Sequence, residues 1–163
     1  MHDLKQELQD FIDQHLPAVQ RLEFAIEEAS AERVILSAPL AANINDKLTA
    51  FGGSIQMLAL ACNWSLTYLN MVDRGLKEQQ FVVMEVNTKY LRMVATERFY
   101  AMCERDEVSI DDFADKAGAG LSARYTGKSA VFASDRINLD NPAATNWEKA
   151  GATLSATFAS IKL

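Results

Sequence analysis

The sequence of 163 residues contains few of the side chains on which common enzyme mechanisms depend. Its two cysteines, Cys62 and Cys103, lie in apolar surroundings with no other Cys or His close by, so they match neither a disulfide framework nor a metal-ligand pattern. The two histidines, His2 and His15, precede Leu16, and no histidine follows. This distribution excludes a Ser-His-Asp triad and leaves a zinc ion without a ligand set.

Positive charge is also scarce, with 16 lysines and arginines against 22 aspartates and glutamates and a net charge of −6. A nucleic-acid-binding face requires a local excess of cations, so the composition argues against nucleic acid as a partner. A small anionic ligand stays compatible with this composition, because a few local cations are enough to bind it.

The segment from Leu48 to Val72 carries no charged side chain, which raises the question of a membrane span. A spanning helix needs about 20 mostly apolar residues. This segment is interrupted by two glycines and several polar side chains, so we predict a buried helix instead. The N-terminal residues are too polar for a secretory signal, and we expect no membrane association and a cytoplasmic location.

Helical periodicity predicts an amphipathic helix over residues 1–15, ended by Pro17 and packed on the outside. It also predicts a central helix over residues 54–71, apolar on nearly every face, which other structure must enclose. A shorter helix is expected to open at Ser109 with a capping-box pattern.

Alternating apolar and polar residues predict β-strands on both sides of the central helix. The predicted strands cover residues 22–26, 33–37, 82–90, 98–103, 128–139 and 151–163, with turn signals at Asp106, Gly127 and Asn141-Pro142. No linker or internal repeat divides residues 1–163, which favours a single domain. A hairpin, one long buried helix and several antiparallel strands together indicate an α+β hotdog fold, a sheet wrapped around one central helix.

The segment from Pro39 to Ser54 is the best candidate for a functional site. Gly52 and Gly53 stand at the entrance of the central helix, where a ligand can approach the backbone. The free amides of the first helical turn can then bind a carbonyl oxygen or an oxyanion. Asn45, Asp46 and Thr49 supply side chains that can orient a water molecule or a carbonyl group.

The run Asn43-Ile44-Asn45-Asp46-Lys47, followed by Thr49-Ala50-Phe51-Gly52-Gly53-Ser54, is similar to the signature of a bacterial family of proposed thioesterases. Members occur alone and as the C-terminal domain of proteins with an acetyltransferase-like N-terminal half. Two later runs, 89–94 and 127–130, also resemble segments of this family, and the resemblance extends from Leu16 to the C-terminus.

The resemblance implies hydrolysis of acyl-CoA or acyl-carrier-protein thioesters, with no cofactor and no metal. It implies that the amide of Gly52 or Gly53 polarises the thioester carbonyl. Asn45 would hold the water or the substrate, and Asp46 would act as the general base or nucleophile.

The resemblance also implies a cleft completed by a second subunit, in a homodimer or tetramer. The expected substrate-binding residues are Asn43, Thr49, Phe51, Ser54, Tyr90 and Arg92. Arg92 could hold a coenzyme A phosphate. Structural interpretations remain open for several of them: Thr49 and Ser54 as helix caps, and Tyr90 as interface packing.

The sequence departs from the family pattern at Leu48, where glycine is usual, and at Met93, where proline is usual. Many hotdog thioesterases carry a carboxylate two turns into the central helix, yet no Asp or Glu occurs between Asp46 and Asp73. This absence favours the alternative of a non-catalytic acyl-CoA-binding or regulatory module, whereas the Asn45-Asp46 pair favours an enzyme. An acetyltransferase is disfavoured, because no glycine-rich pyrophosphate loop follows a strand.

Overall fold

The computed structural model describes residues 3–162, in which one antiparallel sheet curls around a long helix. The strands are β1 (Ala25–Ala29), β2 (Arg33–Pro39), β3 (Phe81–Tyr90), β4 (Arg98–Glu104), β5 (Arg124–Ala133) and β6 (Ala152–Ser160). The helices are α1 (Leu4–His15), α2 (Pro17–Gln20), α3 (Gly52–Asp73) and α4 (Glu107–Gly118). The strands lie in the order β1-β2-β4-β5-β6-β3, and each neighbouring pair is antiparallel. The predicted α+β hotdog fold is confirmed.

Helix α3 occupies the concave side of the sheet and contacts β2, β4, β5 and β6. Its second half is buried almost all round, from Ser65 to Met71, as its lack of an amphipathic pattern predicted. It begins two residues before the predicted start and ends two residues after the predicted end. No helix among residues 3–162 is long and apolar enough to cross a membrane.

Helix α1 packs on the outside of this core, as its amphipathic pattern predicted. Leu8 and Ile12 are fully buried on its inner face. The carboxylate of Asp3 caps its N-terminus by accepting hydrogen bonds from the amides of Lys5 and Gln6. His2, to which the sequence assigned no role, lies outside the described residues.

The outer face of the sheet carries a second, smaller apolar cluster. The chain leaves β5 after Ala133 and crosses this face as a connector, residues 134–151, made of short 3₁₀ turns. Trp147 of this connector packs edge-on against Phe132, with ring centroids 6.1 Å apart. The prediction of one strand over 128–139 was therefore wrong in its second half.

Three other boundaries differ from the predictions. Strand β1 starts at Ala25 rather than at residue 22, because the chain turns at Glu23, whose φ is 55°. Gly127 lies inside β5 and is not a turn residue. Helix α4 has its N-cap at Asp106, and the hydroxyl of Ser109 donates to that carboxylate at 3.0 Å, so the helix opens before Ser109. The last residue of the predicted C-terminal strand, Leu163, lies outside the described residues.

Candidate active site at the start of the central helix

Two asparagines fix the loop that leads from β2 into α3. The buried amide group of Asn43 donates to the carbonyl oxygens of Leu22 and Pro39, both at 2.9 Å. The Oδ1 atom of Asn45 accepts from the backbone amides of Lys47 and Thr49, at 2.9 and 3.1 Å. Both side chains therefore hold the loop in shape, as Asn and Asp commonly do in turns.

Asp46 lies at the tip of this loop, where its side chain is 81% exposed. Its carboxylate pairs with the ammonium group of the neighbouring Lys47 at 2.9 Å. Leu48 follows with φ at 60°, the left-handed region in which glycine costs least. This positive φ explains why the family that the sequence resembles usually has glycine at this position.

Helix α3 starts without a side-chain cap. Phe51 occupies the cap position with extended backbone angles, φ −64° and ψ 133°, and no side chain accepts from the first turn. Within the part of the chain that the structure describes, the amides of Gly52, Gly53 and Ser54 have no protein acceptor. Ser54, predicted as a possible cap, is instead the third residue of the helix.

Both glycines are tightly surrounded by aromatic rings. A Cβ on Gly53 would lie 2.5 Å from Cε1 of Phe51, so a larger residue would displace that ring. A Cβ on Gly52 would lie 3.4 Å from the ring of Tyr90, which is ordinary contact. The hydroxyl of Tyr90 donates to the carbonyl oxygen of Gly52 at 2.9 Å and lies 3.5 Å from Oε1 of Gln56. Tyr90 therefore ties the end of β3 to the first turn of α3.

A cleft of about 350 Å³ lies against this first turn. It brings together four of the predicted site residues, Thr49, Gly52, Tyr90 and Arg92, from two separate segments of the chain. One guanidinium nitrogen of Arg92 donates to the carbonyl oxygen of Ala150 at 2.9 Å, which holds the side chain in place. The other predicted site residues are not among those that line this cleft; they are Asn43, Asn45, Asp46, Phe51, Gly53 and Ser54.

An apolar groove, here named the α3–β3 groove, extends along the helix beyond the cleft. Its volume is about 440 Å³. The residues that line it are Leu16, Val19, Met57, Leu60, Ala61, Trp64, Phe81, Val82, Val83 and Phe158. The sequence analysis did not predict this groove. The available signal was the spacing of Met57, Leu60 and Trp64, which places them on the same side of the helix as Gly53.

The opposite face of α3 contains a closed set of polar contacts with the sheet. The amide group of Asn63 donates to the hydroxyl of Ser129 at 3.0 Å, and the thiol of Cys103 donates to Oδ1 of Asn63 at 2.9 Å. Burial raises the pKa of the Cys103 thiol well above its ordinary value and does the same for Cys62. Both thiols therefore stay protonated, which argues against either as a nucleophile. No metal-ligand cluster occurs among residues 3–162.

A sheet curled around one helix, with an uncapped helix start beside a cleft, defines this protein as a member of the hotdog-fold class. Residues 5–145 match the family described as "Putative thioesterase (yiiD_Cterm)", and the chain belongs to that family. This match agrees with the resemblance seen in the Asn43–Ser54 segment.

Solved structures support the assignment of the fold. The protein OLEI01261 of unknown function from Chlorobaculum tepidum TLS is 30% identical, with 98% of this chain and 95% of that chain covered and a TM-score of 0.85. A "putative thioesterase" from Shewanella oneidensis is 19% identical over 99% of both chains, with a TM-score of 0.78. Thioesterase HI1161 from Haemophilus influenzae is 13% identical over 100% of this chain and 93% of that chain, with a TM-score of 0.69. Among curated proteins, none matches this chain.

Proposed function

We propose that this protein hydrolyses the thioester of an acyl-CoA or an acylated carrier protein at the start of α3. The observation that carries this proposal is the pair of unbonded amides, Gly52 and Gly53, beside the cleft in a member of a thioesterase family. Two amide donors and the positive end of a 22-residue helix favour the negative charge that develops on a thioester carbonyl oxygen.

In the proposed reaction, a water oxygen attacks the thioester carbonyl carbon. Asp46 accepts the water proton, and the amides of Gly52 and Gly53 bind the resulting oxyanion. The oxyanion then collapses to the carboxylic acid as the carbon–sulfur bond breaks, and the thiolate leaves with the proton that Asp46 took from the water, which restores the Asp46 carboxylate. Asp46 is proposed because it is the one carboxylate between Leu40 and Val72, and its loop also carries Thr49 into the cleft.

Other predicted residues have supporting roles in this proposal. The hydroxyl of Tyr90 holds the carbonyl of Gly52 and so orients the first-turn amides. Asn45 holds the loop that presents Asp46, and a contact of Asn45 with the substrate or water stays a prediction. Arg92 supplies a cation at the cleft for a phosphate of coenzyme A or of a carrier protein.

The assembly that we propose is a homodimer, or a tetramer of two dimers, joined through strand β3. Among the described strands β3 pairs only with β6, which leaves its other edge open. Val82, Val83 and Met84 on this strand are about half exposed, at 43%, 44% and 56%. An open edge with apolar side chains is a ready surface for pairing with a second copy. Light scattering on the purified protein would give the oligomer size directly.

The proposed hydrolysis is tested by following free thiol release from acyl-CoA and acylated carrier protein. The Asp46→Asn variant is expected to lose about 100- to 10,000-fold in kcat, because the amide cannot accept the water proton. Asp140→Asn, which changes an equally exposed aspartate in the connector, is the matched control and should keep full activity. Full activity in Asp46→Asn would reject Asp46 as the base while keeping the enzyme class.

A second function has one specific observation in its favour. The Asp46 carboxylate faces solvent beside Lys47, and helix α3 carries no carboxylate before Asp73. A site without a base would bind acyl-CoA without cleaving it. Saturable acyl-CoA binding with no turnover of either thioester class would therefore favour a non-catalytic binding or regulatory module.

A further inference from the structure

The α3–β3 groove lies on the same side of α3 as Gly53 and begins one turn further along the helix, at Met57. Gly53, Met57, Leu60 and Trp64 are spaced by three or four residues, so they follow one another along the same helical stripe. The ring of Phe51 lies over Gly53 at the start of this stripe, and an acyl group bound at the Gly53 amide would pass this ring to enter the groove.

The side chains that line the groove determine which kind of ligand it can bind. All ten lining residues are apolar, and none offers a side-chain donor or acceptor except the indole N–H of Trp64. A volume of about 440 Å³ lies within the usual range for small-molecule sites, roughly 300–1,000 Å³. A hydroxylated or charged acyl group would lose its hydration there without gaining partners, whereas hydrocarbon gains from burial.

Trp64 stands at the far end of this groove and separates it from a second cavity. The second cavity, of about 400 Å³, shares Trp64, Phe81 and Val82 with the first but is also lined by His15, Lys77 and Glu78. The indole is held firmly, stacked on Tyr68 and on Phe81 with ring centroids 5.1 and 5.6 Å apart. A hydrocarbon chain thus meets a rigid aromatic wall and, beyond it, a polar space.

We propose that the α3–β3 groove binds a saturated, unbranched acyl chain and that Trp64 sets the greatest length of that chain. This proposal rests on the proposed thioesterase function and names its substrate class. Gly53 and Trp64 are eleven residues apart, which is about 16 Å along the helix axis at about 1.5 Å per residue. An extended hydrocarbon advances about 1.25 Å per carbon when its bonds are about 1.5 Å long, so the wall falls just beyond the twelfth carbon.

The test is the binding of a series of fatty acids, from hexanoate to hexadecanoate, measured by calorimetry on the full chain. The carboxylate stands in for the thioester carbonyl at the first-turn amides. Each added methylene should tighten binding about fourfold as it is buried, and the gain should stop near dodecanoate. A constant gain through hexadecanoate would overturn the role of Trp64.

Two variants should shift the chain length at which binding stops tightening, one to longer and one to shorter chains. A general loss of stability cannot produce opposite shifts. Trp64→Ala opens the groove into the second cavity and should extend the gain to hexadecanoate. Leu60→Trp fills the groove one turn earlier and should end the gain near octanoate. Trp147→Ala, a half-buried tryptophan on the outer face of the sheet, is the matched control and should leave the limit unchanged. An identical limit in all four proteins would contradict the proposal.

Fluorescence locates the ligand independently of turnover. Because the chain has two tryptophans, Trp147→Phe leaves Trp64 as the sole emitter. Dodecanoate should change its emission, and coenzyme A alone should not. Binding with the expected limit but without hydrolysis would support the groove and reject the catalytic function. Hydrolysis with no response of Trp64 to dodecanoate would keep the function and reject the groove. If the emission of Trp64 changes only when the protein is diluted, the groove is part of a subunit interface and the proposal is overturned.

Discussion

The two sides of helix α3 are built in different ways. On the side that faces strands β4 and β5, Asn63 is buried and hydrogen-bonded to Ser129 and Cys103. The hydroxyl of Ser129 also donates to the carbonyl oxygen of Ala59 at 3.0 Å. Towards β3 and the helix start, the amides of Gly52 and Gly53 lack protein acceptors, and apolar side chains line open space. One helix therefore combines a closed polar network on one side with unpaired amides and an apolar groove on the other.

The difference shows how burial separates stability from function in this fold. A buried polar group without a partner costs about 1–3 kcal/mol, so the sheet-facing side must be complete. At the helix start, water can bond the free amides until a ligand replaces it. Unpaired amides at a helix start beside a cleft therefore cost little stability, and they are the groups available for chemistry.

The largest effect is expected from removing one first-turn amide. Gly52→Pro deletes the N–H group but suits the first helical position, and Phe51 already has the extended ψ of 133° that a following proline favours. Loss of one oxyanion donor should lower kcat about 100- to 1,000-fold. Steady-state kinetics of thiol release measures this change.

Gly52→Ala is the matched control, because it adds a Cβ at ordinary contact distance from Tyr90 and keeps the amide. It should retain kcat within a few fold. Equal losses in the two variants would show that space around Gly52, and not its N–H group, matters for turnover.

An intermediate effect, on stability alone, is expected on the sheet-facing side. A Cβ on Gly127 would lie 2.7 Å from Oδ1 of Asn63, so Gly127→Ala should destabilise the fold by about 2 kcal/mol through overpacking. Asn63→Ala should also destabilise the fold by about 2 kcal/mol, because it removes the acceptor of the Cys103 thiol and leaves a small cavity. Urea unfolding measures both changes.

The double variant tests whether these two residues form one packing unit. Removing the Asn63 side chain makes room for the new methyl group, so the combined cost should be smaller than the sum by about 1 kcal/mol. Strict additivity would contradict this packing. The specific activity of the folded variants should stay close to normal, since neither residue lines the cleft.

The smallest effect is expected at Leu48, on the loop that carries Asp46. Glycine would relieve a left-handed conformation that costs roughly 1–2 kcal/mol in other residues, offset by about 0.5–1 kcal/mol of chain entropy. Leu48→Gly should therefore stabilise the protein by about 0.5 kcal/mol, read from urea unfolding. Leu121→Gly, at an exposed leucine without a positive φ, should instead destabilise it.

The central architecture could be predicted from sequence because its signals are local. An uncharged segment with apolar residues on all faces predicted α3, and alternation predicted strands β2, β3 and β6. The two glycines also indicated where the central helix would begin. These features depend on periodicity and on single backbone positions, which a sequence displays directly.

The remaining features depend on contacts between distant segments. The groove beside Trp64 depends on the placement of β3 and α2 next to α3, which the sequence does not display. The strand predicted over residues 128–139 ran on into the first part of the connector, whereas the chain leaves the sheet after Ala133. The hydrogen bonds by which Asn45 holds its own loop, from the amides of Lys47 and Thr49, could not be read from the sequence, and its contact with water or substrate stays a prediction.

The most direct test of the account is the rate at which the purified wild-type protein releases free thiol from saturated acyl-CoA thioesters of increasing length. We expect turnover, with a kcat/KM that rises with chain length and stops rising near dodecanoyl-CoA. The absence of thiol release from every member of the series, and from the matching acylated carrier proteins, would contradict hydrolysis at the start of α3.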